Sequence, residues 1–360
     1  MHNKPVVPIY LRLFVPLAIL GLIGVYLYGR AEIRSEMTRQ RSAEVLHIGL
    51  GSAALTGEIA AITRDLHVLS GYSALREATE QATPTRLAHV GADFANFSEH
   101  QRRYDQVRWI DETGMERLRV DYFMGKAVIV AQEQLQNKGQ RYYFTDSFKL
   151  KPGEVYVSPL DLNIEHDKVE LPYKPMLRLA TPVTDSRGVK RGIVILNYNG
   201  RELLDSFAGA TGHVGSTGML VNSEGYWLKG AKSEDEWGFM FNRPDLSLAV
   251  RSAAAWARIR SSDSGQELLA DGLWTWQSIY PLLLDQKSST GAAAAFEPSA
   301  SALEGKQYVW KAASHVSVDA LGAVERLVWR KLALVGVVLL AVFGLGSWKL
   351  TQAWRAAAAS

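Results

Sequence analysis

The stretch Val107-Arg108-Trp109-Ile110-Asp111-Glu112-Thr113-Gly114 is the first of three copies of one short pattern in this chain. In each copy an apolar strand is followed by Asp or Asn, by two further residues and by Gly; the other copies span residues 182–188 and 219–225. An Asx side chain caps a tight turn and Gly adopts positive φ at no steric cost, so each copy predicts a β-hairpin. Antiparallel sheet is therefore the expected basis of the fold.

The sequence around the hairpins predicts an α+β protein with two domains, which suits a chain of 360 residues. The first domain takes a helix near 127–137, strands at 142–148 and 154–160, and the strand pair 177–183 and 192–198. The third hairpin begins the second domain, whose later strands lie at 273–283 and 307–316. Residues 288–301 are rich in Ala and Ser and predict a loop.

Two uncharged, mainly apolar runs of seventeen residues bracket this region, at 13–29 and 332–348. Seventeen helical residues rise about 25 Å, near the lower limit for crossing the hydrocarbon core, and basic residues at each end extend the reach. No small-x-small cleavage pattern follows the first run, which favours a retained anchor over a signal peptide. Trp329 and Trp348 flank the second run, which favours a membrane span over a buried core hairpin.

Charge does not fix the orientation of these spans. The basic residues near the first span are Lys4 and Arg12 before it and Arg30, Arg34, Arg39 and Arg41 after it. This is a weak bias against an exported middle region, but the rule is unreliable for long translocated domains.

The first span leads into a heptad seam formed by Val45, Ile48, Ser52, Leu55, Ile59, Ile62, Leu66 and Leu69. Steps of three and four predict a long helix with one buried face. Gly49, Gly51 and Gly57 weaken it as a free coiled coil. The seam can pack on the chain's own sheet, on a partner helix in a dimer, or on both through different faces.

Composition excludes several functions. Forty Lys and Arg against thirty-seven Asp and Glu leave a net charge of +3, without the basic stripe of a nucleic-acid binder. There is no cysteine, and the eight histidines show no zinc-site spacing. P-loop and G-x-S-x-G motifs are also absent from the sequence. A protein that is not an enzyme, with no cofactor or metal, is expected.

Several motifs together resemble the double Cache (PDC-type) extracytoplasmic sensor region of bacterial sensor histidine kinases and diguanylate cyclases. They are Tyr104 to Asp111 with Gly114 and Glu116, then Tyr156 to Glu165, Pro175 to Arg178, Ala180 to Val183, Leu196 to Tyr198, and Glu236 to Met240. The resemblance covers about residues 30–350. Its motifs indicate a sensor architecture and specify no ligand.

The resemblance implies a domain plan and an orientation. It implies a cytoplasmic N-tail (1–12), transmembrane helix 1 (13–29), a stalk helix (30–78), a membrane-distal Cache module (79–205), a membrane-proximal one (206–325), transmembrane helix 2 (332–348) and a short cytoplasmic tail (349–360). The middle region then lies in the periplasm of a bacterium, anchored in the inner membrane. About a dozen residues follow the second span, so the chain is expected to be a truncated or split receptor, or one that signals through a separate histidine kinase or diguanylate cyclase.

The predicted ligand site lies on the polar face of the first hairpin. Gln106, Arg108, Arg117 and Arg119 share one face, opposite the apolar face formed by Val107, Trp109, Leu118 and Val120. In a Cache module a helix and loops cover the second face of the sheet, and guanidinium groups there suit a carboxylate or phosphate. A solvated polar face is the alternative.

Other candidate ligand contacts join these arginines. Tyr142 and Tyr143 begin the next predicted strand and offer an aromatic wall with hydroxyl donors. Ser158, Asp161 and Asn163 lie where the family's pocket strand ends, and Asp161 can receive an ammonium group. Arg178 lies on the opposite face from Leu177 and Leu179. The alternative for these residues is a structural role, because Asp and Asn at strand ends are more often turn formers.

Two functions follow from these features. The first is an inner-membrane receptor that binds a small polar, carboxylate-bearing ligand and works as a homodimer through the stalk. The second is a structural or inhibitory membrane subunit that acts by periplasmic protein contact and has a vestigial pocket.

Overall fold

The computed structural model describes residues 6–165, 168–212, 215–292 and 296–357. The ends of the two predicted tails, 1–5 and 358–360, lie outside the described residues. The helices are α1 (Val6–Ser70), α2 (Ser73–Glu80), α3 (Pro84–Gln101), α4 (Tyr142–Lys149), α5 (Gly200–Thr211), α6 (Leu248–Arg251), α7 (Ala253–Ser261) and α8 (Val318–Ala357).

The strands complete an α+β architecture. They are β1 (Tyr104–Ile110), β2 (Glu116–Phe123), β3 (Lys126–Ile129), β4 (Val155–Val157), β5 (Asp161–Leu162), β6 (Ile164–Glu165), β7 (Lys168–Val169), β8 (Pro175–Thr184), β9 (Lys190–Asn199), β10 (Thr217–Val221), β11 (Trp227–Lys229), β12 (Ser264–Leu269), β13 (Gly272–Ile279), β14 (Gln286–Ser289), β15 (Ala302–Glu304) and β16 (Trp310–Ser317).

The three predicted hairpins are present, and their Asx residues cap the turns. In the first, Oδ1 of Asp111 accepts hydrogen bonds from the backbone N–H groups of Thr113 (2.9 Å) and Met115 (3.0 Å). Gly114 has φ +83°, as the reversal requires. Asp185 and Asn222 cap the other two turns in the same way.

A large sheet holds most of the strands. Among the described residues its order is β15-β14-β4-β8-β9-β1-β2-β3, with β5 beside β8. Its described pairs are antiparallel except β14 with β4, which is parallel. A smaller sheet has the order β11-β10-β16-β13-β12. Strands β14 and β15 come from the chain between β13 and β16, so two strands of the predicted membrane-proximal module lie in the large sheet.

The heptad seam of α1 packs against the large sheet. From Ile48 to Leu69 its members are buried, and all of them except Ser52 share one core with the apolar face of the first hairpin, Val107, Trp109, Leu118 and Val120. Val45 is 55% exposed and lies outside this core. The seam therefore packs on the chain's own sheet. The predicted stalk helix to residue 78 is wrong at its end, because α1 stops at Ser70 and α2 begins at Ser73.

Three local predictions in the first domain were wrong. Residues 126–129 form β3 instead of a helix, because Met124 and Gly125 both take positive φ and reverse the chain into a two-residue hairpin with β2. Residues 142–149 form helix α4 instead of a strand, and its apolar side chains follow helical spacing. The predicted loop at 288–301 begins inside β14, and its residues 293–295 lie outside the described part of the chain.

The chain divides into two compact units. One comprises Val45–Glu267 and Trp274–His315 and contains the main hydrophobic core. The other comprises Met1–Glu44, Leu268–Leu273 and Val316–Ser360. Two helices in the described part are long and apolar enough to cross a membrane, Ile9–Ser70 and Val318–Ala357. Within the second unit Tyr26 stacks on Trp329 with ring centres 5.9 Å apart.

Candidate functional site

A row of polar side chains crosses four strands on the face of the large sheet that points away from α1. Arg178 on β8 pairs with Asn197 on β9, Asn197 with Gln106 on β1, and Gln106 with Asp121 on β2. Residues that are directly opposite on neighbouring strands point to the same side of a sheet, so all four share one face. Helix α4 covers this face, where Tyr142, Tyr143 and Phe144 form an apolar cluster with strand residues of the sheet.

A β-bulge adds an acid to this face. Trp109 pairs with Leu118, but the next residue, Ile110, pairs with Glu116, so Arg117 is the extra residue. The skipped position turns Glu116 toward Arg108 and Arg119. Arg117 instead approaches the Asp111 carboxylate at 3.9 Å. The predicted place of Arg117 on the arginine face is therefore wrong.

Arg108 lies in the interior of the protein and is not solvated. It is 3% exposed, and its Nη1 lies 3.4 Å from Oε1 of Glu116, which is 1% exposed. Its Nη2 donates to Oδ1 of Asn197 at 2.7 Å. Arg119 pairs with the other Glu116 oxygen at 3.4 Å and with Asp121 at 3.1 Å. The alternative of a solvated polar face does not hold for Arg108.

Arg178 anchors a second set of predicted residues. Its Nη1 donates to Oδ1 of Asp161 at 2.8 Å, and its Nη2 donates to Oδ1 of Asn163 at 3.0 Å. The Tyr142 hydroxyl donates to the other Asp161 oxygen at 2.9 Å. Asn163 in turn donates to Glu170 at 2.9 Å. Both oxygens of Asp161 thus already have protein donors.

The two sets meet at the buried ring of Tyr143. Three guanidinium carbons lie near the ring centre: those of Arg108 (5.4 Å), Arg141 (5.5 Å) and Arg178 (5.4 Å). Such distances give cation–π attraction. The first turn of α4 supplies Tyr143, and Arg141 precedes the helix, so α4 brings both over the sheet.

These charges separate the pKa values of two adjacent tyrosines. Burial alone raises the pKa of the Tyr143 hydroxyl, but the three arginines and Lys138 outweigh it, so the pKa lies below its ordinary value. Burial raises the pKa of the Tyr142 hydroxyl well above its ordinary value, and Asp161 adds to the increase. The region around Tyr143 therefore favours negative charge.

The arginines around Tyr143 retain unused donors. The Nε atoms of Arg108, Arg141 and Arg178 are buried, and no group in the described part of the chain accepts a hydrogen bond from them. Across that part, Arg141 also has no carboxylate within ion-pair distance. Buried donors normally have acceptors. An anion beside Tyr143 would supply one.

All eight predicted site residues lie in or beside this cluster, but Ser158 acts through the backbone. Its Oγ accepts the Arg178 N–H at 2.9 Å and donates to the Pro159 carbonyl at 2.7 Å. Sequence reasoning missed Glu116, Arg141 and Asn197 as members of the site. Arg141 had a signal, since it directly precedes Tyr142 and Tyr143.

A cleft of about 360 Å³ lies on the other face of the large sheet. Its lining includes Glu58, Arg103, Tyr198 and Glu202. Tyr198 belongs to the core on the α1 side, opposite the arginine cluster. With two carboxylates against one arginine, this cleft does not suit the anion that the sequence predicts.

A family match identifies the class of domain to which this fold belongs. Residues 58–283, more than half of the chain, match the family described as the sensor domain of bacterial histidine kinases. The chain belongs to this family. The predicted resemblance to the sensor region of bacterial histidine kinases is thereby confirmed.

Solved structures share the architecture. The extracellular domain of a protein described as the histidine kinase vpHK1S-Z8 has a TM-score of 0.63 at 17% identity, covering 81% of this chain and 95% of that one. A domain of a sensory box/GGDEF family protein from Vibrio parahaemolyticus has a TM-score of 0.61 at 18% identity, with coverage of 77% and 98%.

The third is the sensory domain of the Campylobacter jejuni chemoreceptor Tlp3 (CcmL) with isoleucine bound. Its TM-score is 0.53 at 10% identity, with coverage of 82% and 98%. At these identities the likeness concerns the fold. Comparison with curated proteins found no match.

Proposed function

We propose that this chain is a bacterial inner-membrane receptor whose periplasmic region binds a small carboxylate-bearing molecule and passes the event across the membrane. The ligand carboxylate binds beside the Tyr143 ring, among Arg108, Arg141 and Arg178. The observation that carries this proposal is the three buried Nε donors around one ring, with Arg141 lacking a carboxylate partner among the described residues. A ligand anion would accept charge-assisted hydrogen bonds from these donors.

Amino acids are the first ligands to test. The chemoreceptor Tlp3 domain was solved with isoleucine and with L-valine. In this chain Asp161 is the acid placed to meet an ammonium group, and it would share its oxygens with Arg178 and Tyr142. Dicarboxylates and hydroxy acids belong in the same panel, because they need only the arginines.

The test is whether a molecule of the panel raises the melting temperature of the full chain in detergent, with unfolding monitored by tryptophan fluorescence. A ligand bound only by the native state stabilises it by about 2.7 kcal/mol at a hundredfold excess over Kd. Arg141→Ala should abolish the protection, since it removes a cation that has no carboxylate partner in the described part of the chain. Arg117→Ala is the matched control and should retain it, because the bulge places Arg117 beside Asp111.

A second function keeps support from one observation. Glu116 and Asp161 already neutralise Arg108 and Arg178 inside the protein, as in a pocket that no longer needs a ligand. A structural or inhibitory subunit would show no protection by any carboxylate in the panel. Protection that persists in Arg141→Ala would also overturn the proposed site.

The membrane arrangement is a further part of the proposal. Both termini lie in the cytoplasm, and the region between the spans lies in the periplasm. A histidine kinase or diguanylate cyclase domain on the cytoplasmic side receives the signal. Labels at Ser186 and Ser299 should react from the periplasm in intact cells. A C-terminal fusion to a reporter active only after export should stay inactive, and an active fusion overturns the topology.

A further inference from the structure

The chain between β13 and β16, two strands of the small sheet, contributes β14 and β15 to the large sheet. In the described part of this crossing segment, residues 281–292 and 296–309, β14 lies parallel to β4, with Gln286 opposite Val155. The Ser288 hydroxyl donates to the Val157 carbonyl at 2.6 Å. The crossing segment is therefore bonded to the strand that leads to Ser158.

Tyr308 lies where the crossing segment returns to the small sheet. It is buried, and its hydroxyl donates to the Ser158 carbonyl at 3.0 Å. Ser158 is bonded twice to the arginine of the candidate site: its N–H donates to the Arg178 carbonyl at 2.8 Å, and its Oγ accepts the Arg178 N–H at 2.9 Å. Tyr308 is thus hydrogen-bonded to Ser158, the residue that is itself bonded to the Arg178 backbone.

On its other side Tyr308 contacts the small sheet. Its ring meets Trp310 edge to face, with ring centres 5.6 Å apart. Trp310 is 1% exposed and begins β16, which pairs with β10 in that sheet. Strand β16 ends at Ser317 and α8 begins at Val318. A packed route of three contacts therefore joins Arg178 to the strand that precedes α8.

We infer that Tyr308 is a positioning residue that couples Arg178 to β16. The inference rests on the proposed function, since a ligand bound at the unused Nε of Arg178 is what shifts that guanidinium relative to Asp161 and Asn163. The accompanying shift of the Arg178 and Ser158 backbones reaches Trp310 through the Tyr308 hydroxyl and ring. Packed contacts of this kind transmit discrete shifts between elements.

The experiment is a double-mutant cycle on the full chain, read by hydrogen exchange of peptides covering 310–317, and it needs no ligand. Arg178→Lys keeps the charge but loses the fork that holds Asp161 and Asn163, and it should change exchange in 310–317 by about threefold or more. In the Tyr308→Phe background this change should disappear. Tyr280→Phe is the matched control, because its hydroxyl bonds Asp263 and not Ser158.

Two results overturn the inference: no effect of Arg178→Lys at 310–317, or an effect of the same size with and without the Tyr308 hydroxyl. If the Tyr308 hydroxyl were merely structural, removing it would lower the melting temperature, and Arg178→Lys would have the same effect at 310–317 in both backgrounds. Measurements are made well below the lowest melting temperature of the set. Asn163→Ala replaces Arg178→Lys should that variant fail to fold, and Trp310→Phe replaces Tyr308→Phe, with the same outcomes.

Failure of the ligand panel is a separate result, because this cycle contains no ligand. Where a ligand is found, Tyr308→Phe should leave its Kd within about twofold and abolish the ligand-induced change at 310–317. Loss of binding together with the change would make Tyr308 part of the pocket and overturn the coupling role.

Discussion

Arg108 and Glu116 form an ion pair inside the protein, with 3.4 Å between Nη1 and Oε1 and neither side chain more than 3% exposed. Glu116 also meets Arg119, and its Oε2 accepts the Gln136 N–H at 3.0 Å. One buried carboxylate therefore compensates two arginines of the candidate site. Breaking such a pair from one side leaves an uncompensated buried charge.

Glu116→Gln should destabilise the protein strongly, by about 3–5 kcal/mol in the free energy of unfolding. Urea unfolding followed by tryptophan fluorescence measures this. Glu112→Gln is the control, because Glu112 pairs with Arg191 at 3.4 Å with 42% of its side chain exposed, and should change stability by less than about 1 kcal/mol. Equal effects of the two variants would refute the buried pair.

By the same reasoning Arg108→Ala should lower the free energy of unfolding. Replacing a solvated surface arginine with Ala would change it little.

The regular parts of the fold follow from local chemistry that a sequence displays. The Asx-Gly turns predicted three hairpins, and the three-four spacing from Ile48 to Leu69 predicted a buried helix face. Alternation along β1 and β8 separated Arg108 and Arg178 from their apolar neighbours. Alternation of this kind selected Arg108, Arg119 and Arg178. The other five predicted site residues came from the family resemblance and from a predicted strand at 142–148 that is helix α4.

The remaining features depend on contacts between distant segments. The bulge at Arg117 depends on the register of β1 with β2, which no short pattern reports. Without it Glu116 would point to the apolar face, so its partnership with Arg108 was not visible. The short strands β14 and β15 are stabilised by pairing in the large sheet, and an Ala- and Ser-rich sequence gives no hint of that.

Dimerisation through α1 is expected to use its outer face, because the heptad seam is buried by the sheet. Leu46 (60% exposed), Leu50 (50%), Ala53 and Gly57 follow one another at steps of four, three and four on that face. Single cysteines there should cross-link in membranes under oxidation. The native chain has no cysteine, so there is no background.

A cysteine at Leu55, a seam position that is fully buried, is the control and should not cross-link. Cross-linking at Leu55 but not at Leu50 would mean that the seam leaves the sheet. Monomers in detergent, with no cross-links at any of the outer positions, would argue against a dimer through α1.

Residues 31–330 should fold as a soluble α+β protein without metal. The main core lies within Val45–His315, and in the described part of the chain no group of three His, Asp or Glu is arranged to hold a metal ion. The purified segment should give a cooperative melt that a chelator leaves unchanged. A lower melting temperature with chelator would reveal a metal site.

Alkaline pH should distinguish Tyr143 from Tyr142. The native pKa of Tyr143 lies below that of the unfolded chain, about 10, because positive charges surround it. Between those two values the unfolded state holds more protons, so the contribution of the Tyr143 hydroxyl to stability rises with pH; it is lost as pH falls through the native pKa. The native pKa of Tyr142 is raised, so its contribution is full below about pH 10 and falls above it.

The measurement is the free energy of unfolding from pH 7 upward for the native chain, Tyr143→Phe and Tyr142→Phe. Other tyrosines cancel when each variant is subtracted from the native chain. The free energy of unfolding of the native chain minus that of Tyr143→Phe should rise with pH, and the same difference for Tyr142→Phe should fall. Slopes of the same sign would contradict the charge arrangement around α4.

Ionisation of Tyr143 also places a negative charge beside the three arginines, so a carboxylate ligand should bind more weakly as pH rises. Tyr143→Phe should remove that dependence of Kd on pH.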